Sequence, residues 1–522
     1  MVRLTYPCLL SLLASISTAA DLPVLHPAPA KVTPSPLYQV EVAGRPLFVY
    51  PCTVGATVKD ASGEIDPDPP ETTTPRPAAF CYFDSSRPAQ ITVRLSDAAP
   101  HGELRSVVIR PLRHQIAARV EGRTISFVAP EGPCQLSVEP NGSAFAPLHI
   151  FINPPETNTP QPNDPSVTHF FGPGVHEVGL LELKPDESVY VAGGAVVQGQ
   201  ITAPNASGVR IFGRGILDAS RAPSKPSTGR RPPENPLGVY AEQVYLGDGN
   251  NVSVEGVILL DSPAWELHVR RCQNVTIRNV KIISWRENGD GIDVVASENV
   301  TVEHCFVRSW DDALVVKAYL RDPQTSEDLW GGSEVDWSAI KSRVRAYPVR
   351  NLAFRHCVIW LDRAQALEIG KETAAQVISN VEYSDIDIIH GFHIAALDIQ
   401  SGDRGPIQNV RFRDIRLEDQ RSQQLIKISY GATMWNADPR LGQRLGLIRD
   451  VNFENIQVTG HLPPSLLQNS STPELAAPPE DGPVIDRVRI RNLSWNGKAI
   501  TNESELNLQR NGPRLGEVVF EK

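Results

Sequence analysis

NVTIRNVKI at Asn274–Ile282 and NVTVEHCFV at Asn299–Val307 are two copies of a nine-residue pattern that decides the fold. Positions two, four, seven and nine are apolar or aromatic in every copy, which is the two-residue alternation of a β-strand. The alternation breaks at position six, which holds Gly, Asn, His or Asp, the residues that best tolerate a positive φ. Each copy therefore predicts a strand, a left-handed kink and a second strand. The remaining copies begin at Asn251, Asn351, Asn380, Asn409, Asp450 and Arg487.

The spacing of the copies predicts a solenoid. Short strands that recur every 23 to 52 residues stack as the coils of a parallel β-helix, in which each coil covers the edge of its neighbour. A third strand completes each coil, and the longer intervals contain loops, which we place around residues 319–347, 430–447 and 462–481. Cys305 and Cys357 share the inward position seven, where we expect buried free thiols.

The residues before the repeats show a different sequence pattern. Short alternating runs such as Ser106–Leu112 and Thr124–Pro130 are separated by Pro, Gly and Asn, which indicates a β-sandwich. The Pro- and Asn-rich stretch Asn153–Ser166 predicts a linker. The predicted fold is therefore all-β, with a signal segment at 1–20, an N-terminal β-sandwich at 21–165 and a parallel β-helix at 166–522.

The N-terminus predicts export. Met1–Ala20 combines Arg3, the apolar run Cys8–Ala14 and small residues before Asp21, which is the layout of a secretory signal peptide. We therefore expect an extracellular protein, in which some of the eight Asn-x-Ser/Thr sequons carry glycans. Several of these asparagines also sit at repeat turns, where a structural role is equally open.

Composition excludes several partners. The net charge is -10 and no block of Lys and Arg occurs, so a nucleic-acid surface is not expected. No segment after the N-terminus has 18 apolar residues, so a membrane partner is not expected either. Cysteine and histidine spacing indicates no zinc site, and we predict no cofactor. Disulfide pairing and oligomeric state are left open.

The third strand of each coil carries the candidate chemistry. Its central residue faces outward, which predicts the row Glu266, Asp293, Val315, Glu368, Asp398 and Lys427. Trp265 takes the adjacent inward position. Asp290 and Asp312 each lie three residues before this row, and Asp311 precedes Asp312. Because neighbouring parallel strands lie about 4.8 Å apart, we expect these four aspartates to cluster on two adjacent coils.

Clustered carboxylates repel one another, so one of them is expected to hold a proton beside an ionised neighbour. Cleavage of a glycosidic bond requires that combination, an acid for the leaving oxygen and a base for water. Two other interpretations of the cluster stay open, a calcium site and a solvated acidic face.

The stretch NGDGIDVVASENVTVEHCFVRSWDDALVVK, Asn288–Lys317, resembles the core of the polygalacturonase family, glycoside hydrolase family 28. That family has an Asn-x-Asp-Gly-Ile-Asp motif and an Asp-Asp pair one coil later. The resemblance implies a right-handed parallel β-helix and an inverting hydrolysis. It also implies that Asp311 is the general acid and that Asp290 and Asp312 activate water. The sandwich-then-helix plan is similar to family 49, the dextranase and isopullulanase group.

Two departures from the family pattern bear on the substrate. The chain has Ala364-Gln365-Ala366 where polygalacturonases carry Gly-His-Gly. It has Asp398-Ile399-Gln400 where they carry the Arg-Ile-Lys that holds a galacturonate carboxylate. An aspartate there would repel a uronate, so the expected substrate is a neutral glycan, or one whose acidic group binds elsewhere.

Further residues are candidates for substrate contact. Lys317 shares the outward parity of the row and is expected to temper its acidity, as is Arg404. The candidates for contacts with sugar hydroxyls, each equally compatible with a solvated turn, are Asp293, Glu368, His393, Asp398 and Asp403. The predicted function is thus a metal-independent glycoside hydrolase that acts on a poly- or oligosaccharide. A polysaccharide lyase or epimerase and a non-catalytic carbohydrate-binding β-helix are the alternatives.

Overall fold

The structure is a computed structural model that describes residues 22–55, 75–222, 242–318, 347–403, 405–431, 446–470 and 482–521. The predictions on the signal segment 1–20, on Arg404 and on most of the inserted loops fall outside these residues. The described residues form 39 strands and one short 3₁₀ helix, Leu112–His114, so the prediction of an all-β fold is confirmed. Within them, no helix is long and apolar enough to cross a bilayer.

The N-terminal strands form a β-sandwich of two sheets around one core. Along β2 and β6 every second side chain is buried, because one face of each sheet packs on the other sheet and the opposite face meets solvent. The first sheet contains β1 (Val24–Leu25), β4 (Tyr50–Val54), β5 (Arg76–Asp84), β7 (Val107–Arg110), β10 (Cys134–Pro140) and β11 (Leu148–Asn153). The second contains β2 (Tyr38–Val42), β3 (Arg45–Leu47), β6 (Ala89–Leu95), β8 (Ala118–Glu121) and β9 (Thr124–Ala129). No strand occurs from residue 154 to residue 168, and the predicted domain boundary at 165 lies in this stretch.

The remaining 28 strands wind into a right-handed parallel β-helix with three faces, which we call A, B and C. Face A contains β12 (His169–Phe171), β14 (Ser188–Val191), β16 (Arg210–Gly213), β19 (Asn250–Glu255), β22 (Gln273–Arg278), β25 (Glu298–Glu303) and β28 (Val349–Arg355). Face B contains β13 (Gly174–Glu182), β15 (Ala195–Ala203), β17 (Ile216–Asp218), β20 (Ile258–Leu260), β23 (Lys281–Ile283), β26 (Phe306–Ser309) and β29 (Val358–Leu361).

Face C holds the third strand of each coil. Its members are β18 (Val244–Gly247), β21 (Leu267–Arg270), β24 (Ile292–Val295), β27 (Leu314–Ala318), β30 (Gln365–Thr373), β33 (Gln420–Tyr430), β35 (Ser465–Asn469) and β38 (Leu508–Asn511). A single long strand, β31 (Ile378–Ser401), bends through all three faces. The strands that bend from face A into face B are β32 (Ile407–Leu417), β34 (Ile448–Val458) and β36 (Ile485–Trp495). The last coil ends with β37 (Lys498–Ile500) and β39 (Val518–Glu521), which both pair with β36.

The kink predicted at position six of the repeat is confirmed. At all eight position-six residues φ lies between 51° and 82°. Position one has a positive φ as well, between 49° and 59° in the eight copies, and the sequence pattern did not predict this second kink. The inward residues between the kinks, Cys305 and Cys357 among them, form one continuous apolar core, and both thiols are free.

The sandwich packs against face B. Tyr82 and Phe151 of the sandwich share an apolar cluster with Phe306 and Trp360 of the helix. Charged pairs surround this cluster, among them Arg110 with Glu418 at 2.8 Å. Because the sandwich covers face B, faces A and C are the sides of the helix that the sandwich leaves open.

Candidate active site

Face C carries the outward row of side chains expected from the repeats. Asp293 pairs with Val315, Val315 with Glu368, and Glu368 with Asp398. Lys427 follows beside Asp398. Because the members of a parallel pair lie about 4.8 Å apart, the row is continuous across five coils. The predicted order from Asp293 to Lys427 is confirmed.

The prediction that Glu266 is the member of the row on the preceding coil is wrong. Asp293 pairs with His268, not with Glu266, so His268 is the member of the row on that coil. The strand begins only at Leu267, and Glu266 belongs to the preceding turn, where the alternation of a strand no longer sets side-chain direction. The carboxylate of Glu266 is buried and accepts a hydrogen bond from the backbone N–H of Ser262 at 2.8 Å.

Trp265 is not an inward core residue as predicted. It lies in the same turn, and the centre of its ring is 4.1 Å from Lys317 Nζ. The ring also meets the edge of the His268 imidazole, with 4.8 Å between the ring centres. Trp265 therefore covers the acidic cluster from the side of the preceding coil.

Asp290 and Asp312 take equivalent places on adjacent coils, immediately before their face C strands. The backbone N–H of Gly291 donates to Asp312 O at 2.7 Å. A Cβ on Gly291 would lie 2.4 Å from Ala313 O, so the glycine between the two motif aspartates allows this close approach. The two carboxylates are almost fully buried, with 2% and 7% of each residue exposed.

Lys317 lies at the centre of the aspartate cluster. Its Nζ is 2.6 Å from Asp290 Oδ2, 2.9 Å from Asp293 Oδ1 and 3.9 Å from Asp312 Oδ2. Burial raises the pKa of Asp290, and burial raises the pKa of Asp293 to about 7, while in both cases the ammonium of Lys317 opposes the rise. The position between Asp290 and Asp293 is therefore already filled by a positive charge of the chain itself.

Asp311 differs from the other aspartates in its surroundings. It is partly exposed, and its Oδ1 accepts a hydrogen bond from the backbone N–H of Asp312 at 3.2 Å. Burial of the carboxyl, followed by the neighbouring Asp312 carboxylate, raises the pKa of Asp311 to about 6. A carboxyl group with that pKa is still partly protonated near neutral pH.

The next two coils supply buried acceptor groups. Glu368 and Asp398 are fully buried in the row, and Asp398 Oδ2 accepts hydrogen bonds from Gln365 Nε2 at 3.2 Å and from Lys427 Nζ at 3.4 Å. Oδ1 of Asp398 and Oε1 of Gln365 accept no hydrogen bond from the described residues. Burial, followed by the Asp312 carboxylate, raises the pKa of Glu368 well above its usual range.

Sequence reasoning missed Lys371. The pKa of its ammonium rises because four carboxylates surround it, those of Glu368, Asp312, Asp311 and Asp398, although burial opposes the rise. The pairing of β27 with β30 shifts register between Val316 and Ala318, so strand alternation does not extend to Lys371. The one available signal was a lysine immediately after a glycine within a strand, which is a common mark of a bulge.

The other candidates for substrate contact have different environments. His393 lies two residues before Ala395, which pairs with Gln365, and its side chain is partly exposed at the edge of face C. Asp403 Oδ2 accepts hydrogen bonds from the N–H and the hydroxyl of Thr373 at 3.1 and 2.8 Å, which fixes the end of β30. Arg404 lies outside the described residues.

The cluster thus places its carboxyl groups in two different surroundings. Asp290, Asp293 and Asp312 lie buried around one ammonium, whereas Asp311 is the partly exposed member of the cluster. An ionised carboxylate and a protonated carboxyl on adjacent coils are able to accept a proton and to donate one. Such a pair is suited to acid–base chemistry on a bond that lies across the two coils.

Comparison with known proteins identifies the family of the chain. The family model described as "Glycosyl hydrolases family 28" matches residues 190–462, more than half of the chain, and includes every candidate residue. A probable polygalacturonase of Arabidopsis thaliana is 37% identical over 111 residues, which cover 21% of this chain and 24% of that protein. A polygalacturonase of Gossypium hirsutum is 22% identical over 262 residues, 49% of this chain and 56% of that protein. The alignments therefore span about a quarter to a little over half the length of these relatives.

Among solved structures, Dex49A from Penicillium minioluteum superposes on both parts of the chain. The match covers 95% of this chain and 96% of that one, with a TM-score of 0.63 and 15% sequence identity. At that identity the likeness concerns the fold. It places the combination of sandwich and parallel β-helix in a known architecture.

Proposed function

The chain belongs to the glycosyl hydrolases of family 28, and from that membership we propose that it hydrolyses a neutral glycan by an inverting mechanism centred on Asp290, Asp311 and Asp312. It is a glycosidase, and its substrate is a polysaccharide or a fragment of one. The proposal concerns the kind of glycan that is cleaved, the stereochemical course of the reaction and the roles of the single residues. The observation that carries it is the arrangement of the aspartates, with Asp290 and Asp312 buried around Lys317 and Asp311 partly exposed beside them.

In the proposed reaction Asp311 is the general acid. Its carboxyl proton moves to the glycosidic oxygen as the bond from that oxygen to the anomeric carbon breaks. A water molecule attacks the anomeric carbon from the opposite face and loses its proton to Asp290 or Asp312. One water is consumed, the two sugar chains separate, and exchange with solvent returns a proton to Asp311. Inversion follows because a single displacement takes place at the anomeric carbon.

The preference for a neutral sugar rests on the two coils that follow Asp312. There the buried acceptors Gln365 Oε1 and Asp398 Oδ1 accept no hydrogen bond from the described residues, which suits the hydroxyl donors of a neutral sugar. A uronate would bring a further carboxylate to the buried Asp398, where like charges repel. The relatives are named polygalacturonases, so a galacturonate polymer is the competing substrate that an experiment has to exclude.

Secretion is part of the proposal. The N-terminal segment predicts a signal peptide, and a polymer too large to enter a cell is met outside it. The mature N-terminus of protein recovered from culture medium, read by mass spectrometry, is expected at or near Asp21. Recovery of the chain only inside cells, with residues 1–20 retained, would contradict this part.

A reducing-end assay on a panel of glycans tests the substrate and the mechanism together. The panel contains neutral α- and β-glucans, galactans and arabinans beside polygalacturonate, each with and without a chelator. We expect release from a neutral polymer that persists with chelator and disappears in Asp311→Asn. Proton NMR of the first product is expected to show the anomer opposite to that of the substrate linkage.

Three outcomes would each overturn a different part of the proposal. Release from polygalacturonate alone would refute the neutral substrate and retain the mechanism. Loss of activity on adding chelator would refute the metal-independent acid–base scheme. Equal release by wild type and Asp311→Asn would remove Asp311 from its role. The exposed substitution Asp97→Asn in the sandwich serves as the matched control, because it makes the same chemical change far from face C.

A further inference from the structure

The ammonium group of Lys317 is enclosed by other side chains. Only 4% of the residue is exposed. Asp290, Asp293 and Asp312 approach the nitrogen on adjacent coils, and the face of the Trp265 ring lies 4.1 Å away. The ammonium donates a hydrogen bond to Asp290 Oδ2 at 2.6 Å and forms an ion pair with Asp293 Oδ1 at 2.9 Å. A sugar hydroxyl therefore has little access to this group.

We propose that Lys317 is a positioning residue of the hydrolase, whose ammonium fixes the carboxyl groups of Asp290 and Asp293 and favours their ionised forms. This inference rests on the proposed function. It changes the role expected for Lys317 from a ligand of the substrate to a group that acts through the aspartates.

Among the described charged groups of this region, Lys317 is the positive charge nearest to Asp290 and Asp293. Glu372 adds negative charge from the following coil, and His268 faces the ammonium from the preceding coil. Burial lowers the pKa of His268 although the hydrogen bond with Glu242 at 2.9 Å opposes the fall, so the ring brings no stable positive charge. Lys371 belongs to the other side of the cluster, against Glu368 and Asp311.

Without the positive charge of Lys317, no nearby group among the described residues opposes the effect of burial on the ionisation of the two carboxyl groups. Burial favours the protonated form of Asp290 and Asp293, and the ammonium is the group that opposes it. An opposite charge at this distance shifts the pKa of a carboxyl by about 1–3 units. The base of the proposed reaction must be ionised, so without Lys317 the enzyme should need a higher pH to work.

The first test is the pH profile of kcat/KM for wild type, Lys317→Met and Lys317→Arg on the glycan identified by the panel. We expect the acidic limb of Lys317→Met to move up by about 1–3 pH units, whereas Lys317→Arg keeps a limb close to that of wild type. Lys498→Met is the matched control, because Lys498 is exposed in β37, away from the aspartate cluster, and its substitution should leave the acidic limb in place. An acidic limb that does not move in Lys317→Met would overturn the inference.

The second test needs no substrate and separates this inference from the proposed function. The pKa of Asp293 is about 7 in wild type, so between the unfolded pKa of about 4 and pH 7 the buried carboxyl costs stability in both proteins alike. Above pH 7 the carboxyl ionises beside Lys317 in wild type, whereas in Lys317→Met it stays protonated. The difference in Tm between wild type and Lys317→Met is therefore expected to be nearly constant from about pH 5 to pH 7 and to widen from pH 7 to about pH 9. The double variant Lys317→Met/Asp293→Asn should recover part of it. A Tm difference that is the same at pH 7 and pH 9 would overturn the role of Lys317, even if no glycan is cleaved.

Discussion

Single buried carboxyl groups control the chemistry of face C. Burial is the largest cause of the raised pKa of Asp290, Asp293 and Asp311, and the charges around each group then decide how far the rise goes. Three nearly identical side chains on two coils thereby acquire different tendencies to hold a proton. The same effect of burial acts on Glu266, which lies outside the proposed machinery.

Glu266 offers a test of burial alone. Burial raises its pKa to about 8, against about 4.3 in the unfolded chain, so its folded form binds a proton more tightly than its unfolded form. Wild type should lose stability as pH rises from about 4.3 to about 8, by about 3–5 kcal/mol in total. Glu266→Gln keeps an acceptor for the Ser262 N–H and lacks the charge, so its Tm should exceed that of wild type by an amount that grows across this window. Glu41→Gln, at an exposed position, is the control, and a gap that does not grow with pH would contradict the effect of burial.

The coil is built from strands that meet at left-handed residues. Asparagines at position one have a positive φ and bond to one another from coil to coil along face A. Asn351 Nδ2 donates to Asn299 Oδ1 at 2.9 Å, and Asn380 Nδ2 donates to Asn351 Oδ1 at 3.0 Å. Asparagine suits this place because it tolerates the left-handed region and carries both a donor and an acceptor. The structural interpretation of these repeat-turn asparagines is thus confirmed for Asn299, which begins a sequon.

Substitution of Asn351 separates the contribution of its side-chain hydrogen bonds from that of its left-handed backbone conformation. Asn351→Gly removes the side-chain hydrogen bonds and keeps a residue that adopts φ of 58°, whereas Asn351→Ala removes the bonds and also places a Cβ in the left-handed region. We expect Asn351→Ala to be less stable than Asn351→Gly by about 1 kcal/mol in urea unfolding. Equal stabilities of the two variants would show that the backbone conformation contributes nothing.

The elements also show how far sequence reasoning extends. The repeat predicted strands, kinks and the order of Asp293, Glu368 and Asp398, because side-chain direction follows from alternation wherever a strand is regular. It failed at Trp265, which lies in a turn. It missed Lys371, because the register shifts within β30. Contacts such as that of Lys317 with Asp290 join residues from different coils, and the pattern of a single coil does not contain them.

At the scale of the whole molecule, the sandwich and the helix are joined by apolar and charged contacts on face B. His390 of the helix is buried between Glu139 of the sandwich at 2.9 Å and Asp419 at 3.1 Å. Arg110 joins Glu139 to Glu418 of the helix. The network lies opposite the candidate site, so its part is to hold the two units together.

The interface predicts a pH-dependent contribution to stability. The carboxylates of Glu139 and Asp419 raise the pKa of His390, although burial opposes the rise. A raised folded pKa gives stability that is fully present below about pH 6.5 and is lost as pH rises through the folded pKa. His390→Gln should therefore lower Tm most near pH 6, with a gap that narrows toward pH 9. His461→Gln, at an exposed position, is the control. A gap that widens with pH would contradict a charged His390.

The most direct test of the central claim compares two leaving groups. An oligosaccharide of the identified glycan needs a proton on its leaving oxygen, whereas the same sugar with a dinitrophenyl group at the reducing end does not. We predict that Asp311→Asn loses about 10²- to 10⁴-fold in kcat/KM on the oligosaccharide and far less on the dinitrophenyl glycoside. Asp290→Asn should lose a similar factor on both, because water still has to be activated. Equal losses of Asp311→Asn on the two substrates would contradict the account of Asp311 as the acid.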